Sequence, residues 1–242
     1  MINRVAKLIQ NAEHTVIFTG AGMSTESGLP DFRTKDRGLW EKFNPDELAN
    51  VNALVHNEKE FTEFYRYRLS ELFKYKPHRG HYILAEWEKD DKIEGIITQN
   101  VDAFHFDAGS EQVMELHGSF HSFHCHSCQK EHERKAYFSG TTKCDCGGTV
   151  RPGIVLFGEQ LPQDAFQQAE VMSRSADLFI VLGSSLTVSP ANMFPLVAKE
   201  SGANLVIINR EPTDYDVYAD VTISDLSIKE ALVAIDEQIK QQ

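Results

Sequence analysis

No run of apolar residues in this 242-residue chain approaches the ~18 needed to cross a bilayer, which excludes a helical membrane protein. Positive charge is also scarce: 24 Lys and Arg stand against 36 Asp and Glu, a formal net charge of -12, and no basic cluster interrupts the deficit. Nucleic-acid binders contact phosphates through clustered Lys and Arg, so that class is excluded too, whereas an acidic protein favours encounter with cationic polypeptides. The four cysteines are absent from everywhere except Cys125 to Cys146, which argues against a dispersed disulfide framework and for a metal. Internal repeats, low-complexity tracts and disordered linkers are missing. Met1 to Glu13 alternates at helical spacing without the hydrophobic core of a signal peptide, so a cytoplasmic protein is expected.

What is present is an ordinary globular composition, 41% apolar and 25% charged, in a chain long enough to bury a full core as one domain or one domain with an insertion. His14-Thr-Val-Ile-Phe-Thr19 is a short apolar run that ends in glycines, as buried parallel strands do. Ile93 to Thr98, Asp177 to Leu182 and Asn204 to Ile208 repeat the signature. Helical spacing fills the gaps: Phe61, Phe64, Tyr65, Arg68, Leu69 and Leu72, then Tyr82 to Trp87, then Ile228 to Ile239. The alternation predicts an α/β fold with a doubly wound, Rossmann-like parallel sheet built from residues 1–33, 78–120 and 151–242. A helix-rich excursion over 34–77 and a cysteine-bearing stretch over 121–150 break the pattern. Both are expected to form a second, smaller lobe, with the ligand cleft between lobes.

Gly20-Ala-Gly22 follows a strand and suits a nucleotide-binding loop, because glycines let the backbone approach a pyrophosphate. The third glycine of the dehydrogenase fingerprint is missing, Thr25 standing in its place, and so is a ribose-binding acid about twenty residues further on. An ordinary hydride-transfer enzyme is therefore disfavoured. Thr98-Gln-Asn-Val-Asp102 ends an apolar strand in convergent hydrogen-bonding groups, at the place where open α/β sheets hold their ligands, with a helix cap at Asn100 or Asp102 as the lesser alternative. Gly183-Ser-Ser-Leu186 and Ile208-Asn209 end two further strands in groups that suit ribose and phosphate. Of the ten histidines, His117 stands apart because Gly118 follows it and Val113 to Leu116 lead it out of a strand. Its imidazole would titrate usefully at cellular pH.

Cys125-x2-Cys128, fifteen intervening residues and Cys144-Asp-Cys146 come close to the two-knuckle zinc spacing. Four thiolates leave no open coordination position, so the zinc would be structural. The second pair is one residue tighter than the usual knuckle, and Asp145, His124 or His126 stay open as substitutes.

Taken in order, Gly20-Ala-Gly-Met-Ser24, Gly28-Leu-Pro-Asp-Phe-Arg33, Thr98 to Asp102, Leu116-His-Gly118, Arg151-Pro-Gly-Ile-Val-Leu-Phe-Gly-Glu159, Gly183 to Leu186 and Ile208-Asn209 resemble the sirtuins, the NAD-dependent protein-lysine deacylases, from about Val16 to Asp225. The resemblance implies NAD as co-substrate and acyl-lysine proteins or peptides as partners. It places Gly20, Ala21 and Thr25 on the diphosphate side, with Arg33 facing the cofactor and Phe32 shielding the reactive ribose carbon. Gln99 and Asn100 go to the nicotinamide ribose, Val101 and Asp102 to the carboxamide, and Gly183, Ser184, Ser185 and Asn209 to the adenosine half. Asp225 and Leu226 lie near adenine, the loosest match. His117 becomes the catalytic base, with Asn100 and Asp102 beside it. Val155, Phe157, Gly158, Glu159 and Val188 would flank an extended peptide, with Phe157 on the lysine tunnel. One departure stands close by: the family follows its acid with Gly-Leu-His, and here Ala103-Phe104-His105 stands.

Two functions other than deacylation fit the same motifs, namely a protein ADP-ribosyltransferase and a non-catalytic NAD-sensing module. Acyl preference rests on Tyr65 and Arg68, three apart and so on one helical face. By helix geometry alone Tyr65 joins the apolar stripe while Arg68 snorkels to solvent. The resemblance implies instead the Tyr-x-x-Arg pocket of sirtuins that remove succinyl and malonyl groups, with Ala49 as the small residue that widens it.

Overall fold

A computed structural model describes residues 1–29 and 48–241; Phe32 and Arg33 lie outside the described residues. In chain order the elements are α1 (Ile2–Asn11), β1 (Thr15–Thr19), a 3-10 turn (Ala21–Ser27), α2 (Val51–His56), α3 (Glu58–Leu72), α4 (Arg79–Lys89), β2 (Gly95–Thr98), α5 (Phe104–Asp107), β3 (Val113–Glu115), β4 (Gly118–Cys125), α6 (Arg134–Phe138) and β5 (Val150–Ile154). There follow α7 (Gln163–Ser175), β6 (Leu178–Leu182), α8 (Phe194–Glu200), β7 (Asn204–Ile208), β8 (Val221–Ile223) and α9 (Ile228–Lys240).

Six strands form one parallel sheet in the order β3-β2-β1-β6-β7-β8. With the small β4–β5 sheet set aside, this is the strand order of the dinucleotide-binding fold, whose winding reverses between β1 and β6. The central strands β1, β2, β6 and β7 have apolar interiors because helices cover both faces. Ile17, Ile96, Ile180 and Val206 point to α1, α4 and α9, while Val16, Phe18, Ile97 and Phe179 pack with residues of α7 and α8 such as Ala169 and Phe194. Helix α9 begins at a capping box, Ser227 accepting from the Glu230 amide while Glu230 accepts from the Ser227 amide.

The smaller lobe has its own core. Phe61, Phe64, Tyr65 and Leu69 of α3 pack with Phe120, Phe123, Val150 and Ile154 of the antiparallel β4–β5 pair and with Tyr137 of α6. Two stretches far apart in sequence thus bury one another. The β4–β5 sheet itself reaches from Gly118 to Ile154, and Phe157 is tied back to the helical stretch by its amide, which donates to the Ala49 carbonyl at 2.9 Å.

Candidate active site

The C-terminal ends of β1 and β6 meet at the point where the winding reverses, and backbone contact there is close. The Gly20 amide donates to the Leu182 carbonyl at 3.0 Å, and the Gly22 amide to the Gly183 carbonyl at 2.9 Å. A Cβ on Gly22 would lie 2.7 Å from the Gly183 Cα, and Gly183 itself holds a left-handed φ of +64°. Sequence reading assigned the loop glycines to a pyrophosphate; the neighbour that first demands them is the facing loop, which lets the two strand ends close to one wall. Gly20, Ala21 and Thr25 still line the cleft of about 1530 Å³ that opens above this wall, opposite Gly183, Ser184 and Ser185. Helix α9 also borders the cleft through Ser227 and Ile228, but its first turn is already occupied: the Lys229 amide donates to Glu26 at 2.7 Å.

At the end of β2 the polar residues are locked in place. The Thr19 hydroxyl donates to Thr98 Oγ1 at 2.7 Å, and Thr98 Oγ1 also accepts from the Asn100 amide at 3.0 Å. Asn100 Nδ2 reaches Ser24 Oγ at 3.4 Å, and Ser24 in turn donates to Asp102 Oδ2 at 2.7 Å while the Phe104 amide donates to Oδ1 at 2.9 Å. Burial pushes the Asp102 carboxyl above its usual range, and these two donors pull the other way. Ser184 Oγ donates to Gln99 Oε1 at 2.7 Å, which fixes the direction of that carboxamide.

His117 sits in the turn between β3 and β4, on the cleft wall. Its Nδ1 lies 3.0 Å from the Gln99 carbonyl. A carbonyl only accepts, so Nδ1 carries the proton and Nε2 is left as the basic nitrogen. Burial holds the imidazole below its ordinary pKa of 6.5, so near pH 7 it is neutral and able to take a proton. The His117 carbonyl accepts from the Val155 amide at 2.8 Å, tying the base to the β5 exit loop.

That loop carries Val155, Phe157, Gly158 and Glu159, all on the cleft, with Val188 on the facing side. The Glu159 carboxylate is engaged within the loop: it pairs with buried Arg151 at 2.5 and 3.0 Å and accepts from the Leu156 amide at 2.8 Å, while Arg151 also donates to the Ile154 carbonyl. Glu159 therefore shapes the groove.

Ala49, Tyr65 and Arg68 line the opposite wall. Tyr65 is 1% exposed, its ring 4.5 Å from Phe61 and 4.9 Å from Phe64, which is the apolar-stripe packing that periodicity predicts. The structure departs from the snorkelling alternative that helix geometry alone favours. The Arg68 guanidinium lies 5.7, 5.6 and 5.2 Å from the ring centres of Phe64, Tyr65 and Phe120, held by aromatic faces and a hydrogen bond with Tyr65. Burial pushes the Tyr65 phenol up to about 12, so it remains a donor at any physiological pH.

The four thiols converge. All Sγ atoms lie within 4.8 Å of one another, with Cys125–Cys146 at 3.5 Å and Cys128–Cys144 at 3.7 Å. A tetrahedral zinc with Zn–S near 2.3 Å spaces its sulfurs about 3.8 Å apart, so the donor set fits zinc and the tight second pair completes it. Asp145 is turned away, its carboxylate 2.6 Å from Lys130.

Asn209 and Leu226 reach the cleft at the ends of β7 and β8, whereas Asp225 is exposed and outside the cleft lining. Sequence reasoning gave no role to Ser24, Thr19, Arg151 or the buried His81 and His105. Ser24 and Arg151 stood inside quoted motifs, and only the three-dimensional partners reveal what they hold.

The fold and the cleft define a known class, and the chain belongs to it: residues 20–190 match the Sir2 family. It is 56% identical over 230 residues to the NAD-dependent protein deacetylase of Oceanobacillus iheyensis, which covers 95% of this chain and 98% of that protein. Among solved structures it superposes on a Sir2 homologue mutant–ADP-ribose complex with a TM-score of 0.93, at 36% identity over 98% of this chain and 96% of the other. A Sir2–p53 peptide–NAD+ structure matches over the full length of both chains with a TM-score of 0.90 and 35% identity.

Proposed function

We propose that this protein is an NAD-dependent protein-lysine deacetylase that also accepts acyl groups ending in a carboxylate. The observation that carries the first part is His117: a buried, neutral imidazole whose Nδ1–H is spent on the Gln99 carbonyl and whose Nε2 is the remaining base beside Asn100 and Asp102. Relatives named NAD-dependent protein deacetylase and Sir2 structures with ADP-ribose or peptide support the reading. NAD, when bound, would supply an electrophilic ribose carbon with nicotinamide as its leaving group, so that acyl-lysine, NAD and one water give free lysine, nicotinamide and O-acyl-ADP-ribose.

The chain's own residues do the rest. Gln99, fixed by Ser184, and Asn100, fixed by Ser24, present amide groups to the nicotinamide ribose. Val101 and Asp102 receive the carboxamide, Asp102 keeping its orientation through Ser24 and the Phe104 amide. His117 takes the ribose hydroxyl proton at Nε2. Gly20, Ala21 and Thr25 face the diphosphate, and Ser185, Asn209 and Leu226 the adenosine. The peptide lies extended between 155–159 and 186–188, where backbone pairing tolerates many sequences.

The second part rests on Arg68 and Tyr65. A guanidinium fork with an adjacent phenol binds an acyl carboxylate through paired charge-assisted bonds, and acetyl-lysine has no such group. The test compares kcat/KM for acetyl- and succinyl-peptides of identical sequence on wild type and Arg68→Met. Loss of about 2 kcal/mol or more of succinyl preference is expected. An unchanged ratio would leave a plain deacetylase.

A further inference from the structure

Behind the nicotinamide end of the cleft three histidines are buried together. The rings of His78 and His81 lie 4.4 Å apart between centres, and those of His81 and His105 5.1 Å apart. His81 is 0% and His105 2% exposed, and burial holds His81 well below 6.5 and His105 down at about 3. Near pH 7 each carries a single N–H, and the surrounding bonds decide on which nitrogen.

The assignment begins at the first turn of α4. His78 Nδ1 accepts from the Gly80 amide at 2.9 Å, so its Nε2–H donates to the Met23 carbonyl at 2.6 Å. The His78 amide donates to His81 Nδ1 at 3.3 Å, which puts the His81 proton on Nε2, a nitrogen with no partner among the described residues. His105 Nε2 lies 3.0 Å from Thr19 Oγ1, and its Nδ1 likewise has no partner among the described residues. The Thr19 hydroxyl gives its own proton to Thr98 Oγ1, so toward His105 its oxygen can only accept. His105 Nε2 therefore carries the proton, and its Nδ1 is a bare acceptor, complementary to the orphaned N–H of His81. Leaving both of these buried nitrogens unpaired is costly.

We infer that His105 is a positioning residue: His81, itself set by the α4 cap, holds it as the Nε2–H tautomer through one buried water, and it turns the Thr19 hydroxyl onto Thr98 beneath Asn100. The chain of donors runs from the His78 amide through His81, His105 and Thr19 to Thr98 Oγ1, where the Asn100 amide also donates. His105 also sits on α5, whose first amide anchors Asp102. It thus acts on two of the residues given to the nicotinamide half, Asn100 and Asp102, without touching the ligand. The inference rests on the proposed deacetylase reading for its kinetic consequence but not for its chemistry.

Nitrogen-15 spectra of the histidine-labelled full chain without NAD, assigned with His81 and His105 variants, read the tautomers directly. His105 is expected with a bare Nδ1 and a protonated Nε2; the opposite tautomer overturns the inference. His105→Phe keeps a ring and removes both nitrogens, and is expected to lower kcat/KM for NAD at least about tenfold and weaken nicotinamide inhibition, with the peptide KM within about twofold. His105→Gln, whose amide can donate to Thr19, should recover most of the loss. Equal losses in both variants, or none in the first, count against the relay. Should His105→Phe fail to fold, Thr19→Val removes the same hydroxyl and must show the same kinetic split. An inactive wild type would defeat the deacetylase reading while the spectra still decide the tautomer.

Discussion

Ala103 holds a left-handed φ of 64°, at the position directly after Asp102 where the family commonly has glycine. A left-handed alanine costs about 1–2 kcal/mol, comparable to what a glycine there would lose in chain entropy and a buried methyl. Ala103→Gly should therefore leave stability within about 0.5 kcal/mol of wild type, while Ala169→Gly, in the buried interior of α7, should lose more than about 1 kcal/mol. Denaturant titration of the two variants side by side checks this; equal losses would show that Ala103 is unstrained. Glu115, at the end of β3, gives a pH signature. Burial raises its carboxyl to about 7, with Asp102 adding and Ser119 opposing. A carboxyl raised in the folded state stabilises fully below its unfolded pKa near 4.5, and that contribution is lost as pH rises through about 7, roughly 3 kcal/mol in all. Glu115→Gln should thus gain stability relative to wild type between pH 5 and 8, and a pH-independent difference would contradict the assignment. At this scale the sequence pointed to His117, Gln99 and Asn100 because they sit in contiguous motifs at strand ends. It was silent on His105, because its partners Thr19 and His81 lie 86 and 24 residues away in the chain and only the packed sheet joins them.

Among the elements, the small lobe depends most on something other than apolar area. Its core includes Cys125 and Cys144, so the thiolate cluster is continuous with the packing of Tyr65 and Phe120. About one zinc per chain is expected, and chelation should lower the melting temperature of the lobe, because metal affinity here is folding free energy. Metal-free protein with an unchanged melting curve would contradict this. The long helices were legible: the apolar spacing at Phe61 to Leu72 and at Ile228 to Ile239 matches α3 and α9, since each buries one continuous face. The β4–β5 pairing was not, because those strands mix aromatic and polar residues and meet across a register shift between Ser119 and Phe123. The helical and cysteine-bearing stretches were expected in one smaller lobe; which of their side chains interlock follows from packing alone.

In the whole molecule, one reversal of winding gathers residues from across the chain. Gly20, Gln99 to Asp102, His117, Gly183 to Ser185 and Asn209 all face the same cleft because each follows a strand whose C-terminal end points there. The parallel sheet was readable from four apolar runs ending in small or polar residues. The central claim is that this cleft couples nicotinamide release to acyl transfer through His117. Its direct test is incubation with NAD and an acetyl-lysine peptide, following nicotinamide, deacetylated peptide and O-acetyl-ADP-ribose by mass spectrometry. The account predicts the three products in equal amounts, and a loss of O-acetyl-ADP-ribose by at least about 10² in His117→Ala with NAD still bound. Nicotinamide released with ADP-ribose attached to protein, NAD bound without turnover, or near-normal turnover in His117→Ala would contradict it.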